Sequence, residues 1–417
     1  MKKNNLTIVF IEVIFYIGLL LSYTSVISVK FGYMLGFVSN FDLEKFTIGI
    51  LILLIILLLS FLLEYGFVWA VWHFIFSMFL MPEIIMFQFA GTVYIQIFSL
   101  ITVLVLLIIV SKIKFRFSGL PRIINEDKIM GIIAILLFLP FLILYIRYVD
   151  PKNLLLINVY DTRTLFRTVG HTFTSYLNAP LVRVLLPILI VRKLEKKQFK
   201  SFLLYLCMVL YIYLCGALKS VFIGLIALLI FYRGTYYQKC KFFLCSISAV
   251  TFIGTLLSKL TGSLFLLDVF IRRVFFVPAT LNDVYNRYFS NNFTHFSQTG
   301  LPSLNHNNYD SLSMYVGEQV IGQSGYNANV GVFTEGYISA GILGILLMSF
   351  FIVLIIGFIQ MCDIDPKYFG IVFVYIYYFN TAFSTTLLVT HGLLFFMVVS
   401  FLFLRKKSSS TAQLISA

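Results

Sequence analysis

Apolar runs separated by short polar connectors occupy most of the chain. They fall at 7–28, 46–63, 66–82, 91–110, 129–147, 172–191, 201–216, 220–233, 242–259, 337–360, 368–389 and 391–404. Most approach or exceed the roughly 18 residues that let a helix cross a bilayer. The pattern therefore predicts an all-α, polytopic integral membrane protein with about 12 transmembrane helices. The runs 201–216 and 220–233 are short, and a tilted or re-entrant course there lowers the number to ten. No soluble domain can be cut out, so residues 1–417 read as one transmembrane domain. Two polar stretches interrupt the pattern, at about 148–171 and 261–336.

Composition agrees with lipid as the solvent. The chain is 60% hydrophobic and 12% charged, with mean hydropathy +0.97. Soluble domains carry about 25% charged residues. Met1-Lys2-Lys3-Asn4-Asn5 precedes the first run without a small-residue cleavage site, so an uncleaved first helix is expected. The five cysteines lie outside both polar stretches and form no CxxC pair, so neither a disulfide framework nor a metal site is expected.

A net charge of +14 would suggest nucleic acid in a soluble protein. In a membrane protein, basic residues gather on the cytoplasmic side instead. With the N-terminus inside, the inner segments hold 19 of the 31 basic residues and six acids, a net +13, while everything else nets +1. This asymmetry places both termini in the cytoplasm and both polar stretches outside. No nucleic-acid partner is expected.

The informative charges are those that topology does not require. Arg183 sits deep in the run 172–191 and Lys219 between two short runs, where a buried charge costs on the order of 3 kcal/mol and marks a candidate site. In Tyr160-Asp161-Thr-Arg163-Thr-Leu-Phe-Arg167, the two arginines share one face of a short helix that Asp161 is expected to cap. The segment from Thr261 to Tyr288 reads as an amphipathic interfacial helix carrying Arg272, Arg273 and Arg287, broken or kinked at Pro278. Arg272 and Arg273 are about 100° apart, so one faces inward and the other does not. A guanidinium offers a planar fork of donors that matches phosphate. Together these cations suit an anionic ligand whose apolar part lies in lipid, such as a lipid-linked diphosphate. Displacement of a diphosphate from a sugar needs positive charge at the leaving group and admits a base at the attacking hydroxyl. His306, within Asn305-His306-Asn307-Asn308, and Glu335, where the loop re-enters the membrane, are the candidate bases. Asp283, Asp310 and Glu318 offer further carboxylates. His73 reads as a structural hydrogen-bonder, and Gly336, Gly341 and Gly344 as contacts for close helix packing. Walker A, dinucleotide-binding, GxSxG and HExxH signatures are absent from the sequence, which argues against ATP-driven transport in cis.

Several local motifs resemble the bacterial O-antigen and capsule repeat-unit polymerases (the Wzy type). Arg272-Arg273-Val-Phe-Phe-Val-Pro278 and Tyr285-Asn-Arg-Tyr-Phe289-Ser290 resemble the start of that family's large outer loop. Tyr326-Asn327-Ala-Asn329, Glu335-Gly336-Tyr337 and Gly341-Ile-Leu-Gly344 resemble its end, and Gly216-Ala-Leu-Lys219-Ser220 a Gly-x-x-Lys-Ser element. The motifs cover some 45 residues and the architecture covers the whole chain. The paired Arg-x10-Gly spacing of some members is not found from any outer arginine. The resemblance implies transfer of a growing glycan from undecaprenyl diphosphate onto a new lipid-linked repeat unit at the outer leaflet of the inner membrane. It also implies no cofactor, and a chain-length regulator and a flippase as candidate partners. Arg163, Arg167, Arg273 and Arg287 are then the expected diphosphate ligands, with Arg183 and Lys219 deeper, Arg272 beside them, and Asn327 and Asn329 on the sugar. A lipid-linked oligosaccharide flippase and an O-antigen ligase remain the alternatives.

Overall fold

The structure, a computed structural model, describes residues 2–117, 123, 125–155, 159–299 and 311–406. His306 and Asp310 lie outside the described residues, as does the side chain of Arg167. The fold is helical; the described residues contain no strand beyond a single bridge between Ile364 and Arg405.

Eight helices among the described residues are long and apolar enough to cross a membrane. They are α1 (Asn4–Lys30), α2 (Leu43–Leu62), α3 (Phe67–Phe89), α5 (Glu126–Tyr148), α7 (Thr172–Glu195), α8 (Phe199–Gly216), α10 (Tyr236–Thr261) and α13 (Val332–Cys362). Shorter apolar helices are α4 (Ile95–Ser111), α9 (Lys219–Ile230) and α15 (Leu393–Leu404). The polar stretches contribute α6 (Val159–Val169), a π-helical α11 (Leu267–Phe276) and α12 (Val277–Tyr288). Each expected apolar run overlaps a helix. The run 368–389 is broken, however, into α14 (Phe369–Phe379) and a separate turn, Thr386–Thr390, because Asn380 and Thr381 form a turn between them.

Local chemistry sets several boundaries. Asp42 caps α2 by accepting from the amides of Glu44 and Lys45 at 3.0 and 3.2 Å. Thr235 and Gln238 form a capping box at the start of α10, which ends at Gly262 in the left-handed region. Asp161 lies inside the first turn of α6 rather than at the cap expected for it, because the helix already begins at Val159.

The chain divides into two compact units. The first comprises Met1–Lys114, Gly234–Gly357 and Ile376–Ser384; the second comprises Phe115–Arg233, Phe358–Tyr375 and Thr385–Ala417. At the centre of the first unit, α3 is buried along its whole length. It therefore meets protein on every face and carries polar groups that a lipid-facing helix would not. His73 Nδ1 lies 2.7 Å from Glu12 Oε1 of α1, the structural partner expected of it. Gln88 joins Tyr16 of α1 to the Phe46 carbonyl of α2.

The glycines after the large loop act differently from expectation. Ala340 and Gly341 leave helical geometry and break α13. The two parts then cross at Gly336 and Gly344. A Cβ on Gly336 would lie 2.6 Å from the Gly344 carbonyl oxygen, so the close approach is within the element rather than to a neighbouring helix.

Candidate functional site

In the first unit the site is built on α11 and α12. Pro278 does not break this element. The helical backbone continues from α11 into α12, and the winding changes from π to α beside this proline, which has no N–H to give to the turn before it. Asp268 opens α11 and serves both following arginines. Its Oδ1 accepts from Arg272 Nε at 2.7 Å and its Oδ2 from Arg273 Nε at 3.1 Å.

The two arginines then diverge, as their spacing predicts. The Arg272 side chain is 7% exposed and that of Arg273 64%. The Arg272 guanidinium lies 4.4 Å from the Phe31 ring centroid and 5.8 Å from that of Phe37, with Nη1 3.4 Å from Met34 Sδ. It is held on every side. Arg273 has its fork open to solvent and one carboxylate beside it. Arginine paired this way keeps donors for a second anion.

Both arginines border a groove of about 390 Å³. Its walls are mainly apolar, from Leu35, Phe37, Val277, Leu281, Val284 and Ile321, and Gln323 and Tyr326 stand on the loop side. A cation beside an apolar furrow matches an anionic head carried on a hydrocarbon tail. Beyond Tyr326, exposed Asn327 and Asn329 alternate with buried Ala328 and Val330. The Tyr285 hydroxyl donates to the Ala328 carbonyl at 2.8 Å, fixing this alternation and leaving the asparagine side chains outward.

Arg287 is a clamp. Its Nε donates to Asp283 and one terminal nitrogen to the Gly91 carbonyl, both at 2.7 Å, while Asp283 also accepts from the Val93 amide. These bonds tie α12 to the turn before α4. Glu318 accepts from the Gly325 amide and shapes its own loop. Glu335 is fully buried; Oε2 accepts from the Ser384 amide at 2.6 Å and Oε1 from the Ser384 hydroxyl at 3.0 Å. The carboxylate thus caps the helical turn that restarts at Ser384 after the break in the run 368–389. This geometry makes Glu335 an anchor of the chain, with each oxygen accepting one bond from Ser384.

In the second unit, α6 packs against the Gly216-Ala-Leu-Lys219 turn. Arg163 Nε donates to the Ala217 carbonyl at 3.0 Å, and a Cβ on Gly216 would lie 3.2 Å from the Phe166 ring. Ala217 has φ +49° and its amide caps α8 through the Tyr213 carbonyl. Lys219 is exposed at the start of α9. Arg183 is half-buried on a π-helical turn of α7, Pro180–Leu185, with its backbone against Gly224. Arg167 lies on α6. The structure thus brings Arg163 and the Lys219 turn together within this unit, and Arg272 and Arg273 together within the first.

Sequence reading did not single out Asp268 as the shared partner, nor the Phe31–Phe37 segment that cages Arg272. It also missed a buried polar layer in the first unit. Glu83 Oε1 accepts from Asn282 Nδ2 at 2.8 Å, Thr334 donates to Asn282 Oδ1 at 2.8 Å, and Gln96 lies 3.2 Å from Thr334. An acid directly after an apolar run was the available signal for Glu83. Among the described residues no group of three or more His, Cys, Asp or Glu side chains is arranged to hold a metal. No protein-family model, no curated protein and no solved structure matches the chain.

Proposed function

We propose that the chain is an O-antigen or capsule repeat-unit polymerase of the bacterial inner membrane. On this reading it has about twelve spans, both termini in the cytoplasm and the 261–336 stretch outside. It transfers a glycan from its undecaprenyl diphosphate onto the next lipid-linked repeat unit. The observation that carries the reading is the exposed guanidinium of Arg273 beside an apolar groove, with Asn327 and Asn329 exposed beyond the groove's Tyr326. Such a surface combines the three chemistries of a lipid-linked sugar diphosphate: anion, hydrocarbon and hydroxyl-rich glycan.

In this account Arg273 binds the donor diphosphate and stabilises the charge that develops as the C1–O bond breaks. The attacking hydroxyl of the acceptor forms the new glycosidic bond and undecaprenyl diphosphate departs. Arg272 and Asp268 position Arg273. Within the second unit, Arg163, Arg167, Arg183 and Lys219 offer positive charge of their own to an anionic substrate, and in the first unit Arg287 and Glu335 hold the scaffold. His306 is the base.

Deletion of the gene in its own host tests this reading against its nearest rival. A polymerase deletion leaves surface glycan of a single repeat unit on its acceptor. A ligase deletion leaves no attached units, and a flippase deletion leaves lipid-linked units on the cytoplasmic leaflet; either result overturns the proposal.

A further inference from the structure

One cavity of the second unit lies away from every residue assigned above. It measures about 850 Å³ and is bordered by the start of α5, the end of α7, the 365–368 segment and the end of α15. Its lining carries seven cations (Lys128, Arg192, Lys193, Lys196, Lys367, Arg405, Lys406) against four carboxylates (Glu126, Asp127, Glu195, Asp365). Asp363, just beyond the lining, pairs with Lys406 at 3.3 Å, which leaves a surplus of two positive charges.

The charges are arranged in two layers. Arg192 is the inner one. It donates to Glu126 at 3.1 Å, to Asp127 at 2.9 Å, to the Tyr368 hydroxyl at 2.8 Å and to the Phe403 carbonyl at 3.0 Å. Four of its five N–H donors are thereby used, which fixes the floor. The lysines form the outer layer. Lys196 lies 2.6 Å from Asp127 and Lys367 3.1 Å from Glu195. Lys193 reaches Asp127 only at 3.8 Å, and Lys128 is exposed and pairs with no carboxylate among the described residues. Asp127 is thus shared by three cations, which leaves positive charge uncompensated at the opening.

The walls change character along α5. Ile132 and Ile135 line the cavity, and Leu136, Leu139 and Ile143 continue from them as an exposed apolar ridge at helical spacing. A ligand bound to the lysines can therefore lay hydrocarbon along α5. Basic pockets between membrane helices take anionic lipid head groups by this combination.

The geometry points to this cavity as a binding site for the phosphate head group of an acidic phospholipid, with its acyl chains along the α5 ridge. The site is independent of the polymerase reading and of the orientation of the chain. A free phosphate compound shares the head-group chemistry but has no use for the ridge.

The test uses the purified full chain in dodecyl maltoside, with bound lipid counted by native mass spectrometry. The probes are dioleoyl phosphatidylglycerol, dioleoyl phosphatidylcholine and glycerol 3-phosphate. Phosphatidylglycerol is expected to be retained at a concentration about tenfold lower than phosphatidylcholine. Each lysine near an anionic head group contributes an effect of about fivefold. Lys128→Gln, which breaks no ion pair among the described residues, should weaken retention about fivefold. Lys128→Gln/Lys193→Gln/Lys196→Gln should weaken it roughly 100-fold. Ile135→Ser should weaken phosphatidylglycerol and leave glycerol 3-phosphate unchanged. Equal retention of the two lipids, or unchanged phosphatidylglycerol binding in the lysine variants, overturns the proposal. Displacement of phosphatidylglycerol by an equal concentration of glycerol 3-phosphate assigns the cavity to a soluble phosphate and overturns the lipid assignment.

Discussion

Replacing Arg273 by alanine separates binding chemistry from scaffold. The side chain is 64% exposed and its only carboxylate partner among the described residues, Asp268, is shared with Arg272. Its removal deletes a solvent-screened ion pair, worth about 0–1 kcal/mol, and leaves Asp268 paired. The protein should reach the membrane at its usual level. Loss of one charge-assisted bond to a phosphate costs about 1.5–3 kcal/mol, a factor of roughly 10 to 150 in polymerisation rate. Arg273→Lys keeps the charge but not the fork and should recover only part of this. Arg272→Ala is the contrast. That guanidinium lies against the Phe31 and Phe37 rings and is bonded to Asp268, so its removal should cost about 2–5 kcal/mol of stability from the cation–π and charged hydrogen-bond contributions together. Glycan length is read on gels from complemented deletion cells, and folded yield by size exclusion of the detergent-solubilised chain. Normal glycan length with Arg273→Ala would refute the diphosphate role. Equal loss of folded protein in the two variants would refute the division between them.

Three further outcomes follow from the geometry. Glu335→Ala leaves the buried Ser384 amide without its acceptor and should lower stability by about 1–3 kcal/mol, whereas Glu335→Gln keeps an acceptor and should still polymerise; arrest in a well-folded Glu335→Gln would return the base role to this carboxylate. Gly224→Ala places a Cβ 2.7 Å from the Arg183 Cα, a backbone clash that should cost about 1–3 kcal/mol and appear as a lower melting temperature. In a background freed of Cys207 and Cys245, the two exposed thiols, Asn329→Cys should react with a membrane-impermeant maleimide in intact cells, and reaction only after lysis would invert the proposed topology.

The helices were legible because hydropathy and length alone define a span. Each apolar run overlaps a helix, eight of the described helices are long enough to span, and the Arg272/Arg273 divergence follows from helical spacing. Breaks and partners were not legible. The Gly336–Gly344 approach depends on Ala340 and Gly341 leaving helical geometry, and glycine content alone does not say which glycines do so. Pro278 has the same sequence signature at a break as at a change of winding within a continuous helix. The anchoring contact of Glu335 was not legible because its partner, Ser384, is 49 residues away and lies just after a helix break that hydropathy passes over. The bond from Arg287 to the Gly91 carbonyl was not legible, because 196 residues separate the two. α3 shows the converse. Its run, 66–82, reads as one span among the others, yet α3 is buried along its whole length.

Reconstitution gives the most direct test of the proposed activity. The purified chain in liposomes is supplied with undecaprenyl-diphosphate-linked repeat units, and the products are resolved by length while released undecaprenyl diphosphate is counted. The account predicts a ladder of lengthened glycan, one lipid diphosphate released per new linkage, and strong slowing with Arg273→Ala. Repeat units that cross the bilayer or stay intact without lengthening would contradict it.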